Sequence, residues 1–313
     1  MTIRSYSARD EIDDIIALWN VCLPQDMVDQ SNFCKRVIFD VNFDPDLFLI
    51  AEDGDKVKVG FAYGVRLRVR DENVESDKAW IVAIGVHPKH RRKGIGSALI
   101  STLENTLVER GEKAISLGAY PANYFFPGVD SEAYEESVAF FKNCGYIESG
   151  KSVSMDLHLR GYQMPLKYAE IKAKLIENGF AFTPFRLRDS MPTYDFLREY
   201  FPHWLSGVRG NILDGRGENT IILAWDANRE VAGFVMRAMD GTEERFGPFG
   251  VRPSLQGKGI GGVLFHKMME SMVAQRIFYT YFMWTGERNI DIYGQWDMKV
   301  YRTYIMMDKV LWQ

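Results

Sequence analysis

Cysteine is scarce in this sequence of 313 residues, with only three, at Cys22, Cys34 and Cys144. Their spacing suggests neither paired disulfides nor a metal site, and a sparse, odd set is typical of a reducing cytoplasm. The first residues, MTIRSYSARDEIDD, are too polar for a signal peptide. No apolar run approaches the length of a membrane-spanning helix. We therefore expect a cytoplasmic protein without a membrane partner.

An excess of positive charge is also missing. The formal net charge is −4 and the isoelectric point is near 5.8, which argues against a general nucleic-acid binder. The carboxylates and histidines show no metal-ligand spacing, so no metal is expected. The hydrophobic content of 46% is ordinary for a globular protein, and the length suggests two domains as a prior.

What the sequence does contain is a strand–turn–helix pattern in its first half. The apolar run 80–86 predicts a strand, and residues 87–96 form a basic turn punctuated by glycine. Leu99, Leu103 and Leu107 then follow at helical spacing. The N–H groups at a helix start have no intrahelical partner and favour negative charge, so this order predicts an anion site.

The second half repeats this pattern. Residues 249–253 (FGVRP) align without gaps on 84–88 (IGVHP), and residues 256–261 (QGKGIG) align on 91–96 (RRKGIG). The helical stripe repeats in register at Leu264, Met268 and Met272. Two copies of the whole unit indicate an internal duplication.

The repeated turn resembles the acetyl-CoA-binding motif of the GNAT acetyltransferase superfamily. The motif, Arg/Gln-x-x-Gly-x-Gly/Ala after a strand ending in Val, is met twice, and the resemblance covers nearly the whole chain. It implies that the turn amides hold the coenzyme A pyrophosphate and that the preceding strand pairs with the pantetheine arm. The coenzyme-binding residues implied are Val86, Arg91, Arg92, Lys93, Gly94, Ile95, Gly96 and Ser97, and Val251, Gln256, Gly257, Lys258, Gly259, Ile260, Gly261 and Gly262.

The expected fold is α/β (α+β), with two consecutive GNAT-like domains. Each would be a mixed, mostly antiparallel twisted sheet flanked by helices. The predicted domains are 1–160 and 166–313, joined by a linker at residues 161–165.

Two other glycine-rich motifs could in principle account for the same turns. Gly257, Gly259 and Gly262 also match the dinucleotide fingerprint GxGxxG, but residues 278–284 offer no acidic side chain for a ribose. Neither turn has the GxxxxGK[ST] pattern of a nucleoside-triphosphate loop. A third reading makes both turns merely tight loops, which leaves the duplication of their basic residues unexplained.

Acetyl transfer to an amine needs a base, an oxyanion site and an acid for the departing thiolate. The resemblance implies that strand-end amides near Val86 and Val251 serve the oxyanion, and that a tyrosine in a Tyr-x-x-x-Gly-Phe frame is the acid. Tyr293 holds that position in copy two, although Asp297 and Met298 replace Gly-Phe. Copy one has Phe141, which cannot donate a proton. Tyr293 is therefore the candidate acid, or else a core or rim aromatic.

The base is less well indicated. Glu243 and Glu244 precede the second central strand and Asp77 precedes the first, but surface carboxylates are common. The aromatic loop 120–128 is either a lid over the acceptor or a loop packed on the sheet.

We expect an acetyl-CoA-dependent N-acetyltransferase that acts on a primary amine of a small molecule, such as an amino sugar. The C-terminal half is expected to be the active one. The alternative is a non-catalytic acetyl-CoA-binding or regulatory protein. The acceptor and the oligomeric state do not follow from the sequence.

Overall fold

The chain forms two compact units. A computed structural model describes residues 1–7, 10–67, 77–121, 123 and 125–311. Unit 1 comprises Met1–Val153 and Arg302–Gln313, and unit 2 comprises Ser154–Tyr301. The end of the chain thus belongs to the same unit as its beginning. The domains predicted from the sequence, 1–160 and 166–313, instead assign this last segment to the second copy. Their bounds describe the duplicated halves of the sequence and stay a prediction.

The helices and strands follow the expected alternation. Up to the first unit boundary they are β1 (Thr2–Ser5), α1 (Ile12–Cys22), α2 (Gln30–Phe33), β2 (Phe48–Glu52), β3 (Lys58–Arg66), β4 (Lys78–Val86), α3 (Ile95–Glu109), β5 (Ala114–Leu117), β6 (Val129–Asp130), α4 (Glu135–Asn143) and β7 (Ile147–His158). The remaining ones are α5 (Leu166–Glu177), β8 (Ala181–Pro184), α6 (Ser190–Tyr200), α7 (Leu205–Leu213), α8 (Gly217–Thr220), β9 (Ile221–Trp225), β10 (Val231–Arg237), β11 (Phe246–Val251), α9 (Ile260–Ala274), β12 (Tyr279–Gly286), α10 (Glu287–Gly294) and β13 (Lys299–Val310). Strands β7 and β13 each run across a unit boundary.

The sheet of unit 1 is antiparallel except at its centre. Antiparallel pairing joins β1 to β2, β2 to β3 and β3 to β4, and it joins β5 to β13. Strands β4 and β5 are parallel and pair from Lys78 with Ala114 to Ile81 with Leu117. Strand β4 then continues to Val86 without β5 beside it. The two central strands therefore diverge and leave a gap between them.

Helices cover both faces of this sheet. Leu99, Leu103 and Leu107 of α3 are fully buried on one face, which confirms the predicted stripe. Ile15 and Trp19 of α1 are fully buried on the other face. Apolar side chains from both faces of the sheet are thereby removed from water, which is the main favourable term in folding.

Unit 2 repeats this arrangement. Strands β8, β9, β10 and β11 form an antiparallel sheet, and β12 lies beside β7. The predicted stripe of α9 is confirmed, because Leu264, Met268 and Met272 are fully buried. Within the described residues, the ladder pairing beside β12 on this side is an isolated parallel bridge between Arg245, just before β11, and Tyr281. Both units thus have the predicted mixed, mostly antiparallel sheet flanked by helices.

Candidate active site

The glycine turn of unit 1 is held in one backbone conformation. Arg92 and Gly94 both have positive φ, 59° and 80°, and Gly94 is the N-cap of α3. Such values are easy for glycine and uncommon for arginine. The Nε atom of Arg91 donates to the carbonyl of Val86 at 3.1 Å. The Arg91 side chain therefore ties the turn back to the end of β4.

The turn of unit 2 has the same construction. Gly257 and Gly259 have φ of 77° and 85°, and Gly259 is the N-cap of α9. The side chain of Gln256 donates to the carbonyl of Val251 at 3.2 Å, as Arg91 does in unit 1. The sequence alignment of the two turns is therefore also a match of backbone structure.

Each turn presents a run of backbone N–H groups to a ligand. The amides of residues 92–97 in unit 1 and of 257–262 in unit 2 have no acceptor among the described residues. Intrahelical bonding resumes at Ala98, which donates to Gly94, and at Val263, which donates to Gly259. Unpaired amides at a helix N-terminus, with left-handed residues between them, bind anions. The residues present therefore fit a pyrophosphate.

The two turns differ in what lies against them. A Cβ atom built on Gly94 would meet nothing within 4 Å. In unit 2 a Cβ on Gly259 would lie 2.7 Å from Ile171, and one on Gly262 would lie 2.3 Å from Tyr168. Both of these neighbours belong to α5. The space beside the N-cap glycine of the helix is thus open in unit 1 and filled in unit 2.

The central strands also differ, at a bulge that both contain. In unit 1, Ala83 pairs with Tyr63 and Ile81 pairs with Gly64, so Val82 is the extra residue. In unit 2, Phe249 pairs with Val235 and Phe246 pairs with Arg237. The two residues Gly247 and Pro248 therefore lie opposite one residue, Met236. Pro248 stands where unit 1 has Ala83, and proline has no N–H to donate. Unit 2 therefore lacks one strand amide that unit 1 has.

A cleft opens to solvent where β4 and β5 diverge in unit 1, and the empty space there, including the solvent at its mouth, is about 540 Å³. Its walls come from residues 81–84 of β4, from Leu117 and Gly118, and from Phe126 and Val129. Apolar walls around few polar groups are typical of small-ligand sites.

Helix α4 also lines this cleft, through Ser137 and Phe141. The Phe141 ring is buried, and it lies at the wall where the resemblance implies a tyrosine. The sequence-based inference that this position supplies no proton therefore applies to a residue that does line the cleft.

Besides Ser137 and Tyr304, the polar side chains that line the cleft are Asp26, Asp130, Tyr134 and Arg302. The guanidinium of Arg302 donates to both oxygens of Asp26, at 2.6 and 2.9 Å, and to Asp130 at 2.5 Å. The Tyr134 hydroxyl donates to Asp26 at 2.8 Å. Sequence reasoning missed all of these residues as functional candidates. Of these residues, Tyr134 stands seven positions before Phe141, where the resemblance to the GNAT superfamily implies an asparagine.

Tyr293, the candidate acid of unit 2, lies in an aromatic cluster. Its ring contacts Phe246, Phe249, Phe282 and Trp296, with centroid distances of 4.5–6.4 Å. Burial raises the pKa of its hydroxyl above the ordinary value for tyrosine. In the described part of the chain, that hydroxyl has no hydrogen-bond partner. Its role as a proton donor stays a prediction.

The candidate bases lie before the central strands. The carboxylate of Glu243 pairs with the buried guanidinium of Arg237, and its side chain is 51% exposed. The backbone carbonyl of Glu244 accepts from the amide of Tyr281 at 3.1 Å. Asp77, before β4, pairs with Lys113 at 2.7 Å. The roles of Glu243 and Glu244 in proton transfer stay predictions.

The aromatic loop 120–128 is partly packed on the sheet. Tyr120 and Phe125 are buried in the cluster that contains Trp19, while Phe126 reaches the cleft. Tyr124 lies outside the described residues. The structure therefore favours neither a lid nor a packed loop for the whole segment.

The described residues contain neither a membrane-spanning helix nor a metal-binding cluster. No helix there is long and apolar enough to cross a membrane. No group of three or more His, Cys, Asp or Glu side chains there is placed to hold a metal ion.

Comparison with known proteins bears on this geometry. The model of the GNAT acetyltransferase family matches residues 12–146. An acetyltransferase of Sodalis glossinidius is 36% identical over 118 residues, which cover 37% of this chain and 74% of that protein. An acetyltransferase of Photorhabdus laumondii is 33% identical over 148 residues, which cover 45% of this chain and 94% of that protein.

Solved structures match over both units. A GCN5-related N-acetyltransferase from Sphaerobacter thermophilus has a TM-score of 0.73 at 16% identity and covers 100% of this chain and 96% of its own. A tandem GNAT protein from the clavulanic acid pathway has a TM-score of 0.66 at 14% identity, covering 100% and 99%. A glucosamine N-acetyltransferase region of a fungal β-N-acetylglucosaminidase has a TM-score of 0.80 at 21% identity. It covers 98% of this chain, which spans only 38% of that longer protein.

The two units form a tandem α/β protein in which each central strand leads into an amide-lined turn, and the relatives that the chain matches are acetyltransferases. The chain belongs to the GNAT acetyltransferase family. The distant solved structures support its tandem fold.

Proposed function

We propose that the chain is an acetyl-CoA-dependent N-acetyltransferase for a small primary amine, and that the unit 1 cleft is its active site. The observation that carries the proposal is the cleft between β4 and β5, which lies at the end of the strand leading into the open turn. The amides of 92–97 would hold the pyrophosphate, with the exposed side chains of Arg92 and Lys93 adding positive charge nearby.

This proposal places catalysis in the half opposite to the one expected from the sequence. That expectation depended on Tyr293 and Phe141 alone. In unit 2, Ile171 lies against Gly259 and Pro248 removes a strand amide, whereas unit 1 has neither feature. The family match at residues 12–146 also lies within unit 1. These differences support unit 1 as the active unit.

The acceptor is proposed as a small amine because the walls of the cleft come from a few short segments, residues 81–84, Leu117, Gly118, Phe126 and Val129. The amine nitrogen bonds to the acetyl carbon, the carbon–sulfur bond breaks, and one proton moves overall from nitrogen to sulfur. Glucosamine is the first acceptor to test, because a structural neighbour is named as a glucosamine N-acetyltransferase.

The test is acceptor-dependent release of free coenzyme A thiol over glucosamine, tyramine, spermidine and lysine. Gly94→Val should lower kcat/KM by about 10²-fold, because a branched side chain at positive φ distorts the turn. Gly259→Val should leave turnover largely intact once folding is checked by circular dichroism.

The reverse pattern would place catalysis in unit 2. Acetyl-CoA binding by calorimetry without thiol release for any amine would support the non-catalytic alternative.

A further inference from the structure

Four polar side chains from distant parts of the chain meet in the unit 1 cleft. Asp26 follows α1, Asp130 ends β6, Tyr134 precedes α4 and Arg302 belongs to β13. The side chains of Asp26 and Asp130 are only 9% and 4% exposed. Charges buried to this degree are costly unless they are paired and hydrogen-bonded. Arg302 provides that pairing for both carboxylates.

The two carboxylates are not equivalent. Asp130 also accepts from the backbone amides of Glu132 and Ala133, at 2.9 and 2.8 Å, so it caps the turn before α4. Asp26 accepts only from side chains, Arg302 and Tyr134, among the described residues. Its backbone is fixed separately, because the buried indole of Trp19 donates to the Asp26 carbonyl at 2.9 Å. Asp26 is therefore the carboxylate free to exchange a proton through Tyr134.

The direction of the Tyr134 hydrogen bond decides its chemistry. The hydroxyl gives its hydrogen to Asp26 and its oxygen faces the backbone N–H of Gln25, so one lone pair of the oxygen remains for the cleft that Tyr134 lines. A group on the cleft side can give a proton to this oxygen while the original hydrogen moves to Asp26. Burial, together with the charge of Asp26, raises the pKa of Tyr134, so the hydroxyl keeps its proton at neutral pH.

We propose that Tyr134 and Asp26 together accept the proton from the acceptor amine, and that Arg302 is the positioning residue that holds Asp26. This inference rests on the proposed function of the unit 1 cleft. As the nitrogen–carbon bond forms, the amine proton passes to the Tyr134 oxygen and the Tyr134 proton passes to Asp26. As the carbon–sulfur bond breaks, the sulfur takes one proton from water, and Asp26 returns one to water.

The position of Asp26 in the cleft depends on Arg302, which lies near the end of the chain. Its guanidinium makes a bidentate pair with Asp26, a geometry that lysine cannot reproduce. Burial lowers the pKa of Arg302, but the hydrogen bonds and charge of Asp26 outweigh it and the net pKa is raised. The guanidinium therefore stays charged at every working pH.

The first test compares Tyr134→Phe and Asp26→Asn with a matched control. Each should lower kcat/KM for glucosamine, or for the fastest amine of the panel, by about 10²-fold or more. The double variant should lose little more than either single one, since the residues act as a unit. Tyr146→Phe is the control, because Tyr146 donates to Glu104 at 2.9 Å and Glu104 pairs with Lys309 of β13, outside the cleft. It should keep wild-type turnover.

The second test examines Arg302 through the pH profile of kcat/KM. In the described part of the cleft the titratable groups are Asp26, Asp130, Tyr134, Arg302 and Tyr304. Arg302→Met removes the cation beside the proton-accepting pair, so the acid limb of the profile should move to higher pH. Arg302→Lys keeps the charge, so the limb should stay while kcat falls. If kcat/KM of Arg302→Met is lower at every pH but the acid limb of its pH profile stays in place, Arg302 has only a structural role. That result would overturn the positioning role.

The coupling between Tyr134 and Asp26 can also be measured without substrate. Nuclear magnetic resonance of ring-labelled tyrosine, assigned with Tyr134→Phe, should show that Asp26→Asn lowers the pKa of Tyr134. An unchanged pKa would mean that the two side chains are not coupled, which overturns the pair.

The outcomes also separate the two proposals. If Gly94→Val keeps full turnover, the unit 1 site itself is wrong. If Gly94→Val loses turnover while Tyr134→Phe and Asp26→Asn match the Tyr146→Phe control, only the proton pair is wrong.

Discussion

His266 makes the stability of unit 2 depend on pH. The side chain lies on α9 and is 1% exposed. Its Nδ1 atom contacts the Tyr162 hydroxyl, while its Nε2 atom is buried and has no partner in the described residues. A second proton on this ring would place a charge in the core without compensation. Burial accordingly lowers the pKa of His266 from 6.5 to about 4.

The size of the effect follows from this difference. Above pH 6.5 the ring is neutral in the folded and the unfolded chain, and its contribution to stability is complete. Between pH 6.5 and about 4 only the unfolded chain takes up the proton, so stability falls as the pH falls. At about 1.4 kcal/mol per pH unit, the loss by pH 4 is about 3 kcal/mol. Below that pH the folded chain is protonated too, and the loss stops growing.

Urea unfolding at several pH values from 7.5 to 4.5, for the wild type and His266→Gln, isolates this contribution. Glutamine can still accept from Tyr162 and does not titrate in this range. The wild type should lose about 2 kcal/mol more than the variant across the range. His158→Gln, in the same unit but at an exposed position, should behave as the wild type does. Parallel pH curves for the wild type and His266→Gln would refute the reasoning.

Three further perturbations follow from the structure. Gly94→Ala should cost about 1 kcal/mol of unfolding free energy, since only its positive φ is strained, whereas Gly259→Ala should cost about 2–4 kcal/mol because Ile171 must also move. Equal urea midpoints would contradict this. Tyr293→Phe should change kcat less than about threefold, far below a general acid's contribution, and should not lower the melting temperature, because the hydroxyl has no partner. A larger fall in kcat would return catalysis to unit 2. Truncation after Tyr301 should abolish the calorimetric transition of unit 1, because buried Met307 is lost from its core, and a retained transition would disprove this.

The glycine turns could be predicted because their determinants are local. A left-handed residue, a helix start and an apolar stripe are each specified within a few neighbouring positions. The structure accordingly places Gly94 and Gly259 at the N-caps of α3 and α9. Arg92, which aligns with Gly257, also has positive φ in the structure, although no propensity of arginine suggests it.

The polar part of the cleft could not be predicted, because its determinants are far apart in the chain. Arg302 and Asp26 are separated by 276 positions, and neither belongs to a spacing pattern. The candidate bases Glu243 and Glu244 were chosen because they precede a strand, which says nothing about what the carboxylate contacts. Only the structure shows that Glu243 is paired with Arg237.

The same contrast explains why the two copies can share a turn and still differ in chemistry. A turn set by local residues survives changes elsewhere, so both units keep their unpaired amides. The bulge in the central strand also recurs, opposite β3 in unit 1 and opposite β10 in unit 2. Catalysis requires more than the turn, since the ligand needs open space beside it and the cleft needs charged side chains that the turn does not supply. Unit 2 fills the space beside Gly259 with Ile171, whereas unit 1 receives Arg302 from a segment that follows all of unit 2 in the chain. The charged part of the unit 1 cleft therefore includes a residue that follows the whole second copy in the chain.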